Sequence, residues 1–222
     1  MTLEETRKRI LEDDEFVLVE FRKIQQIFRM KQVIRYHHKR TEVIDTESVA
    51  EHVYGMLALV DYFLPLEETG PWNYARIAQM ALYHDMDEIL TGDTIGYLKT
   101  DEDRAKEYDA QKEALKLLPE ITKKSASSCL QEYDDQSTIE SRFTKAIDKI
   151  EPLFHLVNEN GKIICIEAKV TYSQSRSIKD KYVAEFPYIK RFNDVLSEYM
   201  LKEGYFASEA WYHLANGHQL LH

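Results

Sequence analysis

Two histidines and two aspartates, His52, His84, Asp85 and Asp148, are the residues of this chain whose types suit the capture of a divalent metal. His84 and Asp85 are adjacent, which on an α-helix points their side chains about 100° apart, yet their unlike lengths let both converge on an ion beside that ridge. Glu88 comes four residues after His84 and shares its helical face, whereas Asp87 is expected to point to solvent. Asp148 stands among apolar and basic neighbours, and a carboxylate buried there needs a compensating charge that a metal supplies. A mixed imidazole and carboxylate shell suits a borderline divalent ion, Mn²⁺ or Co²⁺ first, with Mg²⁺, Fe²⁺, Ni²⁺ and Zn²⁺ also compatible. A His-Asp pair is also commonplace, and taken alone an ordinary hydrogen-bonded histidine accounts for His84 as well.

Helices must position these residues. Apolar positions at helical spacing, among them Phe16, Val19, Ile24, Ile27, Phe28 and Ile34, predict one or two helices over 4–34, interrupted near Asp13 and Asp14. Ser48 precedes Glu51 by three residues, a capping box for a helix running to about Phe63, which places His52 near its first turn. On that helix Tyr54, Leu57, Ala58 and Asp61 are expected to seat it on the rest of the fold. Pro65, Gly70 and Pro71 mark a loop, and one continuous apolar helix is expected from about Tyr74 to Leu90, carrying both His84 and Asp85. Further helices are predicted over 101–118, from Pro119, over 138–157 with Asp148 inside, over 173–185 and over 187–203. The stretch NENGKIICIEAKVTYS reads as a short hairpin, or as a loop followed by a helix.

At 222 residues the chain can bury about 70% of its unfolded surface, so one sizeable domain is the default. No apolar run approaches a membrane span, and the charged opening residues resemble neither a secretory nor a transit signal, so a cytoplasmic protein is expected, with no membrane partner. Cys129 and Cys165 occur in unlike contexts without a CxxC pair, which argues against a disulfide scaffold or a thiolate zinc site. A net charge of -10 disfavours binding to a nucleic-acid polymer. Small phosphorylated ligands remain compatible, because a metal and a local cation supply the field they need.

The ordered segments IRYHHKR, ESVAEHV, ALYHDMDEILTGD and EYDDQSTIESRFTKAIDKIE resemble the HD-domain phosphohydrolases, and more closely their nucleoside 5'-monophosphatase branch of bacterial 5'-deoxynucleotidases and related eukaryotic proteins. The likeness covers about half the chain. It implies an all-α HD domain over 1–222 with extra terminal helices and a catalytic core of about 24–157. It implies His52, His84, Asp85 and Asp148 as ligands of one metal, Arg35 as the phosphate contact, and Glu88 and Asp93 as catalytic carboxylates. Tyr36, after the arginine, is placed to pack on the sugar or base, and Lys99 to reach the pocket mouth. The substrate implied is a nucleoside 5'-monophosphate, with deoxyribonucleotides foremost, and the assembly implied is a homodimer. The Arg35 to His52 spacing looks slightly longer than in the bacterial members, a place where substrate preference would change.

Other candidates carry less. The patch HHKR at 37–40 reads as a solvated loop or a phosphate attractor, and Tyr97 as peripheral packing. Glu132 reads as a support or interface residue, and His155 as partly packed and outside the site. His213, His218 and His222 lack accompanying carboxylates. A nucleotide triphosphohydrolase would want a larger cationic surface. A non-catalytic metal- and nucleotide-binding module would not need Arg35, Glu88 and Asp93 together, and an all-helical structural protein would hold no stoichiometric metal.

Overall fold

The computed structural model describes residues 1–38, 40–41, 46–67, 71–94 and 100–209. Lys99, Tyr97 and the three C-terminal histidines lie outside the described residues. Among the described residues the chain is all-α, with only isolated bridges between Ile34 and Ser48 and between Thr171 and Ala207.

Helices α1 (Leu3–Glu12) and α2 (Asp14–Phe28) form an N-terminal pair. A 3-10 turn over Arg29–Lys31 and the short helical turn α3 (Arg35–His38) lead to α4 (Val49–Phe63). Then come α5 (Tyr74–Tyr83), α6 (Glu88–Thr91), α7 (Asp101–Lys116) and α8 (Glu120–Asp135). The chain continues through α9 (Ile139–Leu156), α10 (Glu159–Glu167), α11 (Tyr172–Val183) and α12 (Pro187–Lys202). The central element is α9, which packs against α4, α5, α8, α10, α11 and α12. Phe143, Ala146, Ile147, Ile150 and Leu153 give it an apolar face at 3–4 spacing, buried against Phe63, Ile77, Phe186 and Ile189. Each large side chain buried there contributes about 1.5–3 kcal/mol, so this helix is anchored before any ligand binds.

The capping box forms as expected: Ser48 Oγ accepts from the Glu51 N–H and Glu51 Oε2 accepts from the Ser48 N–H at 2.6 Å. Arg40 Nη2 donates to that Glu51 carboxylate at 2.6 Å, so the one residue of the HHKR patch whose side chain is described braces the start of α4. The buried face of α4 is His52, Val53, Met56, Val60 and Phe63. The expected stripe is displaced from it by one position: Tyr54 is 77% exposed, Ala58 and Asp61 are exposed, and of the four only Leu57 packs against the core.

Three other expectations are corrected. The helix expected from Tyr74 to Leu90 is not continuous. Its ladder changes after His84, where the N–H groups of Met86, Glu88, Ile89 and Leu90 each donate three residues back rather than four. In such tight winding, side chains three apart eclipse, so Asp85 and Glu88 share one direction and His84 and Asp87 another. Asp87 is consequently buried, 8% exposed, and does not face solvent. The stretch after Val157 is a helix, not a hairpin, because Asn158 Oδ1 accepts the Gly161 N–H at 2.8 Å and caps α10. Gly161 is required there, since a Cβ would lie 2.0 Å from the Leu156 carbonyl oxygen.

A candidate metal centre beside a charged cleft

Three helices and a turn bring the predicted ligands together. His52 comes from the first turn of α4, His84 caps α5, Asp85 follows in the tight turn, and Asp148 projects from the middle of α9. His52 Nε2 lies 3.4 Å from Asp148 Oδ1 and 4.0 Å from Asp85 Oδ2. His84 Nε2 lies 3.0 Å from Asp85 Oδ2 and 3.8 Å from Asp148 Oδ1. Donors held at about 2.0–2.2 Å from one ion stand about 3–3.5 Å apart; His52, His84 and Asp85 each offer an atom within 4.8 Å of the others, and Asp148 Oδ1 lies beside both histidines.

The surroundings turn the inner atoms toward that point. The His84 Nδ1–H donates to the Ala81 carbonyl oxygen at 3.0 Å; a carbonyl can only accept, so Nδ1 carries the proton and Nε2 keeps its lone pair in the neutral ring. His52 Nδ1 pairs with Glu151 Oε2 at 2.7 Å, which orients this ring the same way. Both Nε2 atoms are buried and lack a hydrogen-bond partner. Asp148 Oδ2 accepts from the Tyr133 hydroxyl and from Lys149 Nζ, both at 2.8 Å, which leaves Oδ1 for the cluster. Burial and the neighbouring Asp148 hold the Tyr133 hydroxyl well above its ordinary range, so it remains a donor. Asp85 is the member open to the cleft, with its side chain 23% exposed. Orphaned buried nitrogens aimed at paired carboxylates fit a divalent ion.

Electrostatics agree with an ion-binding role. Burial alone pushes the Asp148 carboxyl up, but Lys149 and Lys145 outweigh it and hold the group well below the carboxylate range. Burial and Arg35 push His52 down, while Glu151 and Asp148 overcome them and bring it to about 9. A cation at the cluster would take the place of that proton.

Arg35 lies near three acids: Glu47 Oε1 is 2.5 Å from Nη1, Glu151 Oε2 is 3.6 Å from the same nitrogen, and Asp93 Oδ1 is 3.8 Å from Nε. Asp93 also accepts the Tyr36 N–H through Oδ2 at 2.8 Å. That bond offsets the strain of Tyr36, which sits at φ 59° and costs about 1–3 kcal/mol in a left-handed conformation. Gly92, at φ 74°, ends α6 and delivers Asp93 to this position. Glu88 is buried with Oε2 unpartnered, and burial with Asp85 and Asp93 nearby drives its carboxyl well above the usual range.

The cleft over this cluster is lined by Arg35, Tyr36, Asp85, Glu88, Asp93 and Asp148 among others, and has a cavity volume of about 170 Å³. Among the described residues it thus unites the expected ones except His52 and His84, which are buried beside Asp148 and Asp85.

Several site residues were missed from sequence. Glu47 and Glu151 bracket His52 and Arg35, Tyr133 and Lys149 hold Asp148, and His155 stacks on Tyr36 at 6.0 Å with Nδ1 3.6 Å from Glu47 Oε2. His155 is thus a neighbour of the cleft and not simply a packed residue. Glu132 accepts from Arg76 and from Thr138, each at 2.6 Å, and so joins α5, α8 and the start of α9; neither partner lines the cleft. Two sequence signals pointed to the missed set: Gly55 in mid-helix and Pro152 one turn after Asp148. A Cβ on Gly55 would meet Glu151 Oε1 at 2.6 Å, and Pro152 lacks the N–H that would bond the Asp148 carbonyl. Glu47, His52 and Glu151 could also be read as a metal triad, but Arg35 already supplies positive charge between the two glutamates.

Comparison with known proteins gives concordant results. Residues 27–190 match the HD domain family model. The 5'-deoxynucleotidase HDDC2 of Mus musculus is 30% identical over 143 residues, covering 61% of this chain and 70% of that protein. A 5'-deoxynucleotidase of Erwinia tasmaniensis is 29% identical over 173 residues, covering 71% and 85%. The crystal structure of a predicted metal-dependent phosphohydrolase from Magnetospirillum magnetotacticum superposes with a TM-score of 0.72 at 23% identity, covering 86% of this chain and 96% of that one, which shows a shared fold. The chain therefore belongs to the HD domain family and is a phosphohydrolase that stands close to the family's 5'-deoxynucleotidases.

Proposed function

We propose that the protein releases phosphate from nucleoside 5'-monophosphates, deoxyribonucleotides foremost, with one divalent metal held by His52, His84, Asp85 and Asp148. The observation that carries this reading is the pair of buried Nε2 atoms facing the two aspartates beneath a cleft that also presents Arg35 and Glu88. Mn²⁺ or Co²⁺ is the proposed ion, and when bound it supplies Lewis-acid activation of water and of a phosphoryl oxygen. Arg35 receives the nonbridging oxygens in its donor fork and offsets charge that builds on them. Glu47 and Glu151 hold that fork in place. Glu88 and Asp93 divide the proton transfers: Glu88 orients the attacking water and takes up its proton, Asp93 delivers a proton to the departing 5' oxygen, and the two roles are interchangeable. Water oxygen bonds to phosphorus, the P–O5' bond breaks, and nucleoside and inorganic phosphate leave. Tyr36 packs beside the sugar.

The chain is taken as one HD domain over 1–222, with its catalytic core at about 24–157, working in the cytoplasm as a homodimer. The surface favouring a dimer is α2, whose Val17, Phe21, Ile24 and Phe28 recur at the 4-3-4 spacing of a helix seam and are all exposed. Asp14 and Glu15 begin this helix, and Arg22, Arg29 and Lys31 lie in or beyond its second half, so an antiparallel copy sets opposite charges together.

The test is phosphate release from a panel of ribo- and deoxyribonucleoside 5'-monophosphates by apo protein reconstituted with Mn²⁺, Co²⁺ or Mg²⁺, beside Asp85→Ala. Metal-dependent release lost in Asp85→Ala supports the reading. Release from triphosphates alone, or none from folded, metal-loaded protein, contradicts it.

A further inference from the structure

Beyond the charged end of the cleft, α9 borders a second cavity. Pro152 and Leu156, one and two turns after Asp148, line the cleft and, with Tyr36, also line an adjoining chamber of about 30 Å³. At 1.5 Å per residue they stand about 6 and 12 Å from Asp148 along the helix axis, the reach of a nucleoside whose 5'-phosphate is held at the metal centre. The rest of the chamber wall is mostly apolar, with Ile164, Val170, Met200 and Phe206 among its members, while Ser175 and Lys179 on one side are bonded to each other at 2.8 Å. A volume of about 30 Å³ accepts one group the size of a water or a methyl, and the carbon-rich wall favours the methyl. The Tyr36 hydroxyl is buried and has no hydrogen-bond partner among the described residues, which leaves it for a polar atom of a ligand at this end of the cleft. The proposed hydrolysis makes no use of the chamber.

We infer that the chamber receives the 5-methyl group of a pyrimidine base and makes thymidine 5'-monophosphate the preferred substrate. The inference rests on the nucleotide reading above, because a nucleotide anchored at the metal centre carries its base to this end of the cleft. The methyl is remote from the P–O5' bond and leaves the chemistry of the phosphate unchanged, so a preference for it reports contact alone.

Steady-state kinetics of the Mn²⁺-loaded protein with thymidine and deoxyuridine 5'-monophosphates test this, since the two differ by that one methyl. The expected kcat/KM is about 4- to 100-fold higher for the thymidine nucleotide, the effect of one methyl group buried in a fitting pocket. The 5-methyldeoxycytidine nucleotide should exceed its unmethylated parent in the same direction. Val170→Ile and Ala168→Val each add carbon to the chamber wall, and each should bring the ratio of thymidine to deoxyuridine nucleotide to about one. Activity on the deoxyuridine nucleotide, which reports the fold and the metal centre, should stay within about twofold in both variants. A ratio near one in the unaltered protein, or a ratio that survives in both filled variants, overturns the inference. Calorimetry with free thymidine and free deoxyuridine separates the two claims. Tighter binding of thymidine that is lost in Val170→Ile, in a protein that hydrolyses no nucleotide, supports the chamber and defeats the hydrolytic reading alone. Equal binding of the two nucleosides beside confirmed hydrolysis defeats the chamber assignment alone.

Discussion

A methyl group added at Gly55 would disturb the candidate metal centre without altering a ligand. Gly55 lies on α4 three residues after His52, and a Cβ there would stand 2.6 Å from Glu151 Oε1. The atom in the way is the tip of a flexible side chain, so the carboxylate moves and the helices stay. Moving it separates Glu151 Oε2 from His52 Nδ1, now 2.7 Å apart, and leaves a buried donor without its acceptor, at about 1–3 kcal/mol. Alanine in place of glycine in a helix interior returns about 1 kcal/mol. Gly55→Ala is therefore expected to be neutral to about 2 kcal/mol destabilising, where a glycine with space beside it would give a gain. Loss of a hydrogen-bond partner behind a metal-binding histidine lowers metal affinity about 10- to 100-fold, and the same loss is expected here. Urea unfolding of the apo protein and calorimetric titration with Mn²⁺ read the two effects. Glu151→Gln, which keeps the shape and removes the charge, should weaken Mn²⁺ binding in the same direction. A Gly55→Ala protein more stable by about 1 kcal/mol, with unchanged Mn²⁺ affinity, would refute this account of Glu151.

Other outcomes follow from the same geometry. Arg35→Lys replaces a fork seated among Glu47, Glu151 and Asp93 by a point charge, and should cut kcat/KM for phosphomonoesters about 100-fold while metal content holds. Phe21→Glu puts a charge into the α2 seam, where the side chain is 52% exposed, and should convert a dimer to a monomer in sedimentation without lowering the melting temperature of dilute protein. Burial pushes the Cys165 thiol from 9.0 up to about 11. The folded state thus holds this proton more tightly than the unfolded state, so its contribution to stability is full below 9.0 and fades as pH rises through about 11. Alkylation of Cys165 in folded protein should accordingly stay slow at pH 9 and accelerate toward pH 11, whereas urea-unfolded protein should react readily at pH 9.

Local signals carried much of the fold. Ser48 and Glu51 announced the start of α4, and the apolar spacing from Phe143 to Leu153 announced the buried face of α9. Short-range signals failed where burial of polar groups overrode periodicity. The apolar run from Tyr74 to Leu90 reads as one helix, yet turning His84, Asp85, Asp87 and Glu88 inward tightens the backbone. The NENG segment contains turn residues, but Asn158 serves as a helix cap and Gly161 as a point of close approach. Arg35, Tyr36, Asp85, Glu88, Asp93 and Asp148 do meet in one cleft, as the motif order implied. Their supports left only an indirect trace in the sequence because they act across the fold: Glu151 meets His52 from 99 residues away. The glycine and proline that accompany it, Gly55 and Pro152, break helix rules at the site itself, which is where such breaks are expected.

Anomalous diffraction from crystals of the protein loaded with Mn²⁺ or Co²⁺ tests the central claim most directly. One peak per chain is expected, about 2.0–2.3 Å from Nε2 of His52, Nε2 of His84, and a carboxylate oxygen each of Asp85 and Asp148. A peak among Glu47, His52 and Glu151 instead, or none in protein that binds the ion in solution, would contradict it.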